Sequence, residues 1–179
     1  MTKRLFSILV IALLLQGTLI YGQQKIAVGQ KVPEWIFEDA ERTDFTMNSW
    51  TGKVLQINYV DPDDSDLNDG LNDYINKATT IDKRIDREKF KGFGIVDCKS
   101  SRKPNGLIRI VAGNKAKKYD TTILFDYDGE LQDKWGLPSD NYTVVIVDKQ
   151  RICRAVYTGK VPDTEYENIA QLIIKYTNE

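Results

Sequence analysis

The chain contains no histidine and only two cysteines in 179 residues. The first absence removes the commonest zinc and copper ligand and the commonest general base. The second excludes any Cys-x-x-Cys redox pair, because Cys98 and Cys153 stand far apart in the sequence. A glycine-rich phosphate loop is also missing, since Gly92-x-Gly94 opens a strand rather than a strand-to-helix turn. Repeats and low-complexity segments are absent, and so is an excess of one charge. There are 25 basic and 26 acidic residues, a net charge of −1. That balance excludes the clustered basic face of a nucleic-acid binder.

Long apolar runs are lacking with one exception. Leu5 to Leu15 is apolar apart from Ser7, follows Lys3 and Arg4, and precedes the small residues Gly17, Thr18 and Gly22. This pattern predicts a signal peptide over residues 1–22, cut after Gly22, because the run is short for a membrane span. No Cys follows it to carry a lipid. Loss of Lys3 and Arg4 would take the net charge from −1 to −3. Residues 23–179 are expected to form a single globular domain with a proper core, free of the membrane after cleavage.

Along that domain, Pro33 to Trp50 has the character of an extended hairpin anchored by Trp35, Phe37 and Phe45. Val54 to Val60 reads as the first core strand. Leu67, Leu71, Tyr74, Ile75 and Ala78 then mark one face of a helix. Asp64 or Ser65 is its expected N-cap. A second strand spans Phe93 to Cys98, and Pro104 opens a second helix. Leu107, Ile108, Val111 and Ala112 are expected inward there, with Lys115, Lys117 and Lys118 solvated. Thr122 to Phe125 is a strand, and a short helix through Leu131 and Trp135 stops at Gly136. Tyr142 to Val147 and Arg151 to Tyr157 form a hairpin. A last helix begins at Pro162 with Asp163 and Glu165 in its first turn, burying Tyr166, Ile169, Ala170, Ile173 and Tyr176.

This order, with the words Gly52-Lys53-Val54, Trp135-x-Leu137 and Val144-Val145-Ile146-Val147-Asp148-Lys149, resembles the thioredoxin-like fold of the peroxiredoxin and thioredoxin-A-like branch. Lys117, Tyr119, Phe125 and Asp128 stand in rough register with a further shared segment. Over residues 30–178 the chain resembles the YtfJ family of exported bacterial proteins, a thioredoxin-like group. The resemblance implies an α/β fold with a mixed central sheet flanked by helices, an N-terminal hairpin extension, and the periplasm as location. It implies no cofactor and no dithiol motif.

Departures from an active oxidoreductase follow residue by residue. The two catalytic sulfurs of the fold would fall near Asp64 and Leu67, and Leu67 belongs to the apolar stripe. The usual cis-proline position is taken by Tyr142, where a trans bond is expected because a cis bond before a non-proline residue costs about 2.5–4 kcal/mol. The peroxidatic pattern Pro-x-x-x-Thr-x-x-Cys is absent.

What stands at this edge instead is Asp61, Asp63, Asp64 and Asp66. A calcium loop fits poorly, since Gly70 falls one place late and Ile75 occupies the bidentate glutamate position. The loop after Cys98 should lie beside these carboxylates and carries Lys99, Arg102 and Lys103. Acidic helix caps and solvated surface pairs are the plainer reading. A mixed-charge partner surface is the functional one. In a sheet ordered second, first, third, fourth strand, Cys98 and Cys153 lie on opposite edges, about 14 Å apart. That exceeds the roughly 7 Å limit for a disulfide. Both are expected to be unpaired packing residues, with the nearby carboxylates suppressing a Cys98 thiolate. Asn141-Tyr142-Thr143 matches a glycosylation sequon by composition only, and Trp35, Trp50 and Trp135 read as core anchors. Three functions follow: a non-catalytic module that binds an unidentified periplasmic protein, a single-cysteine redox protein using Cys98, or an Asp-rich cation binder. The first is favoured by elimination.

Overall fold

The computed structural model of the protein describes residues 25–179. The expected signal peptide lies outside them. Among the described residues no helix is long and apolar enough to cross a membrane.

Seven strands form one mixed sheet in the order β2-β1-β5-β4-β3-β6-β7. The strands are β1 (Ile36–Glu38), β2 (Asp44–Thr46), β3 (Val54–Val60), β4 (Phe90–Asp97), β5 (Thr122–Asp126), β6 (Tyr142–Val147) and β7 (Cys153–Thr158). β3, β4 and β5 are parallel, and β6 and β7 run back and forth against β3. The hairpin β1–β2 extends the sheet antiparallel to β5. Four helices are α1 (Asp69–Thr80), α2 (Asn105–Lys118), α3 (Glu130–Trp135) and α4 (Tyr166–Asn178). The expected thioredoxin-like α/β architecture with its N-terminal hairpin is what the chain forms.

Period-two alternation in β3 divides the core. Leu55, Ile57 and Tyr59 join Phe93, Ile95, Trp35, Phe37, Leu131 and Trp135 on one face, under α3 and the hairpin. Val54 meets Leu71, Ile75 and Ala78 of α1 and Ile169, Ala170 and Ile173 of α4 on the other. α2 covers the same second face farther along, where Ile108 and Ala112 pack on Val96 and Phe125. The α4 stripe matches the periodicity at Ile169, Ala170 and Ile173, but Tyr166 and Tyr176 are only half-buried and Thr177 is buried instead.

The core four strands do stand in the order second, first, third, fourth, but β4 is no edge, because β5, β1 and β2 continue the sheet beyond it. Both cysteines are buried and unpaired. Three further corrections follow, two of boundaries and one of burial. β7 begins at Cys153, not Arg151. Arg151 turns with φ 66° and is buried, its guanidinium donating to the carbonyls of Lys53 (2.9 Å) and Trp50 (2.8 Å). Leu107 and Val111 are half or more exposed, at 50% and 59%, because only the Ile108–Ala112 stripe of α2 reaches the sheet.

Third, α1 starts at Asp69 with Asn68 as its N-cap, not at Asp64 or Ser65. Residues 61–68 fold as successive turns instead. The Asp63 N–H donates to the Asp61 carboxylate (2.6 Å), Asp64 N–H to the Asp61 carbonyl, and Leu67 N–H to the Asp64 carbonyl. Short polar side chains offer the backbone this alternative to a helix. Leu67, as expected, packs on the α1–α4 core. Asn68 is fully buried and leaves its own helix uncapped, donating to the Gly159 carbonyl (3.0 Å) and accepting from Val161 N–H (2.8 Å). It thereby ties the start of α1 to the approach of α4. Replacing Asn68 with Ala strands both backbone groups and is expected to cost about 2–4 kcal/mol. The readout is a lower urea midpoint at unchanged m-value. A loss under about 0.5 kcal/mol would show the tie to be dispensable.

Candidate functional site

The carboxyl ends of β3 and β4 place the expected site residues on one edge, where open α/β sheets bind ligands. Asp61 is only 5% exposed. Burial raises its carboxyl above the ordinary range, against the Asp63 N–H bond and with help from the Asp63, Asp140 and Asp64 charges. Lys103 reaches across to pair with Asp63. Lys115 of α2 pairs with Asp66 at 3.2 Å, which holds that carboxyl below its usual value. Asp64 is exposed. Lys99 turns instead to Asp133 of α3, at 3.9 Å, and Arg102 forms no ion pair with a described residue. So the loop after Cys98 does lie beside the carboxylates, but Lys103 alone of its three bases engages them. Among the described residues no three Cys, Asp or Glu side chains gather closely enough to hold a metal ion.

The other two expected residues lie below the surface. Tyr142 pairs with Val60 in the β3–β6 ladder and is 2% exposed under α1, its hydroxyl accepting from Asn72 Nδ2 at 3.1 Å. Burial pushes its phenol up to about 12. The described residues contain no cis peptide bond. Cys98 is 4% exposed among Val96, Ile108, Ala112 and Phe125. Burial, then the charges of Asp126 and Asp97, push its thiol up to about 12. The suppressing carboxylates are thus these two, not the 61–66 loop.

Asp97 and Asp126 were not singled out from the sequence. They end adjacent parallel strands, are paired in register, and are each 1% exposed. Asp126 accepts from the N–H groups of Glu130 (2.8 Å) and Leu131 (3.0 Å) at the start of α3, and from the Tyr59 hydroxyl (3.4 Å). Asp97 accepts from Ser100 N–H (3.1 Å) and Gln132 Nε2 (2.6 Å). Burial still raises the Asp126 carboxyl above its ordinary value, against those N–H bonds. The legible signal was an Asp closing each of two apolar strands, Gly94-Ile95-Val96-Asp97 and Ile123-Leu124-Phe125-Asp126. Their bonds are those of a helix cap and a loop staple, so their role is to hold α3 and the 98–103 loop.

Sequence reasoning also missed a cleft of about 830 Å³ between α1 and α2. α1 leans on α4 and α2 on β5, which leaves the β3–β4 strip uncovered between them. On that strip Gln56 is in register with Gly92 and Asn58 with Gly94. Asn58 Nδ2 donates to the Phe93 carbonyl (3.3 Å), and Gln56 Nε2 donates to Asn58 Oδ1 (3.3 Å) and Asn72 Oδ1 (3.0 Å). Gln56 Oε1 has no partner, although the residue is only 2% exposed. A buried acceptor in that condition costs about 1–3 kcal/mol. Three charge pairs cross the mouth: Lys103–Asp63 and Lys115–Asp66 at one end, Arg87–Asp120 at the other.

Neither a family model nor a curated protein matches the sequence. Solved structures do match in shape. The thioredoxin domain of a thiol-disulfide oxidoreductase from Bacteroides vulgatus is 13% identical with a TM-score of 0.60, covering 83% of this chain and 99% of that one. The exposed lipoprotein thioredoxin of Streptococcus pneumoniae is 14% identical with a TM-score of 0.59, covering 80% and 99%. A peroxiredoxin-like protein from Aquifex aeolicus is 13% identical with a TM-score of 0.59, covering 83% and 88%.

The Cys98 environment sets a pH dependence. The folded thiol titrates near 12 against an ordinary 9.0. The unfolded chain therefore loses this proton first, and the stability the thiol contributes is fully present below pH 9 and falls as pH climbs toward 12. At about pH 10.5 the loss is about 2 kcal/mol. Urea unfolding across that range should show wild type declining more steeply than Cys98→Ala. Parallel declines would mean that the thiol is not shielded. The neighbours share the thioredoxin-like fold with this chain, in which both cysteines are buried.

Proposed function

We propose that this chain is an exported thioredoxin-fold module of the periplasm, akin to the YtfJ family, that binds another protein and performs no thiol chemistry. The observation that carries the binding half is an exposed apolar row on α2. Leu107, Ile110 and Val111 share one helix face at i, i+3 and i+4, with exposures of 50%, 64% and 59%. Exposed apolar surface rimmed by charge is the usual character of a protein-binding face. Lys103, paired with Asp63, lines the same cleft as Leu107 and Val111.

The absence of thiol chemistry is supported by what occupies the edge. Asp64 and Leu67 stand near where the sulfurs of thiol-disulfide oxidoreductases fall, and both cysteines are buried elsewhere. Burial of Cys98 counts against single-cysteine chemistry, which needs an accessible thiolate. Cation capture by the loop is disfavoured because Asp61 is buried and bound by a backbone N–H, while Asp63 and Asp66 are held by lysines.

Capture from a periplasmic extract by the tagged mature protein tests the reading. Ile110→Asp is expected to weaken capture of the partner about tenfold or more at unchanged melting temperature. Asp63→Asn with Asp64→Asn should weaken it by a smaller factor, and Cys98→Ala with Cys153→Ala should leave it intact. Equal capture by the Ile110 variant and wild type would sink this surface. Loss of capture in the cysteine variant alone, with a mixed disulfide trapped in wild type, would restore thiol chemistry.

A further inference from the structure

The interior of the cleft has a chemistry of its own and shares with the exposed row of α2 only Leu107 and Val111, at its lip. We propose that it is a binding site for a small uncharged molecule carrying an amide-type group, an N–H donor beside a carbonyl acceptor, on an apolar body.

The space is built in rather than left over. Its volume of about 830 Å³ lies within the range of small-molecule sites, about 300–1,000 Å³. Gly92 and Gly94 keep the floor bare, and glycine weakens a strand interior. Neither is needed for packing or for backbone conformation. A Cβ on Gly94 would stand in ordinary contact with Ile123, nearest at 3.7 Å, and with the Asn58 carbonyl at 4.0 Å, and one on Gly92 with the Phe90 ring, nearest at 3.6 Å. Neither residue has a positive φ. Alanine would fit at both positions, so what the two glycines contribute is room.

The polar groups beside that bare floor are locked in direction. The Phe93 carbonyl can only accept, so Asn58 must turn its Nδ2 toward it and its Oδ1 toward Gln56. Gln56 must then present Nε2 to Asn58 and Asn72, which leaves Oε1 as a buried acceptor without a donor. Asn72, its Oδ1 thus engaged, gives Nδ2 to the Tyr142 hydroxyl, whose own proton is left to donate. An orphan acceptor and an available donor at one floor match an amide. Around them the wall is apolar, with Val60, Ile75 and Ile123 inside and Leu107 and Val111 at the lip. Of the charged side chains that line it, Lys103, Lys115 and Arg87 are already paired at the mouth, Asp69 and Asp73 are exposed, and half-buried Lys91 lies over the Trp50 ring at 5.5 Å. The floor therefore offers hydrogen bonds but no counter-charge, which selects an uncharged ligand.

Benzamide is the probe, with N,N-dimethylbenzamide as the analogue that keeps the carbonyl but carries two methyl groups in place of the donors. Titrating benzamide into labelled protein should move the amide resonances of Gly92, Gly94 and Asn72 with a Kd of about 1–10 mM, as expected for so small a ligand. The dimethyl compound should bind at least about tenfold more weakly, because it leaves Gln56 Oε1 unmet. Gly94→Ala should abolish the shifts without lowering the melting temperature. Gln56→Leu should abolish the preference for benzamide over its dimethyl analogue. No shifts at these residues at about 20 mM probe, a range that covers the expected affinity, would mean that the cleft holds water alone and would overturn the proposal. Equal binding of the two compounds, or unaltered binding in Gly94→Ala, would overturn it as well.

Discussion

Every residue from Leu55 to Val60 is paired on both sides, with β4 in parallel and β6 in antiparallel register, and Val54 with β4 alone. That double pairing makes β3 the member from which the rest is placed. It sends alternate side chains into two cores, and it fixes which ends of β4 and β5 lie beside the 61–66 loop. Because β3 is buried on both faces, a slip of one residue would exchange Leu55, Ile57 and Tyr59 for Gln56 and Asn58. The amides would then face the aromatic core of Trp35, Phe93 and Trp135, so the register is held by a large penalty.

The same constraint explains why two buried amides are tolerated in the central strand. On the face they occupy, the neighbouring strand offers glycine at both matching positions, and the helix above supplies Asn72. A polar pair on β3 and a bare β4 thus coexist with an uncovered strip between α1 and α2. Had β4 carried branched side chains at 92 and 94, α1 and α2 would rest on a continuous apolar surface.

At the carboxyl edge of β3 the chain places turns closed by Asp61 and begins the helix only at Asp69. Asn68, at the cap position, is drawn away to Gly159 and Val161. The charges that remain are cross-braced by Lys103 and Lys115. Each such exposed pair is worth little by itself, about 0–1 kcal/mol. Together they tie the β3–α1 loop to α2 across the cleft.

Much of this was written in local patterns. Alternation in β3 and β6, the α4 stripe, the hairpin before β3, the missing dithiol and the separation of Cys98 from Cys153 all follow from residue order, since strand and helix periods are properties of the backbone. The start of α1 was not legible, because Asp64, Ser65 and Asn68 are equally good caps and only contacts some 90 positions away in the sequence choose among them. Leu107 and Val111 fit an inward stripe by spacing, and they are exposed because only the Ile108–Ala112 stripe of α2 reaches the sheet. Tertiary structure likewise decided which carboxylates shield Cys98, and it opened the cleft. Both depend on side chains from separate strands and helices meeting in space, and no local period carries that information.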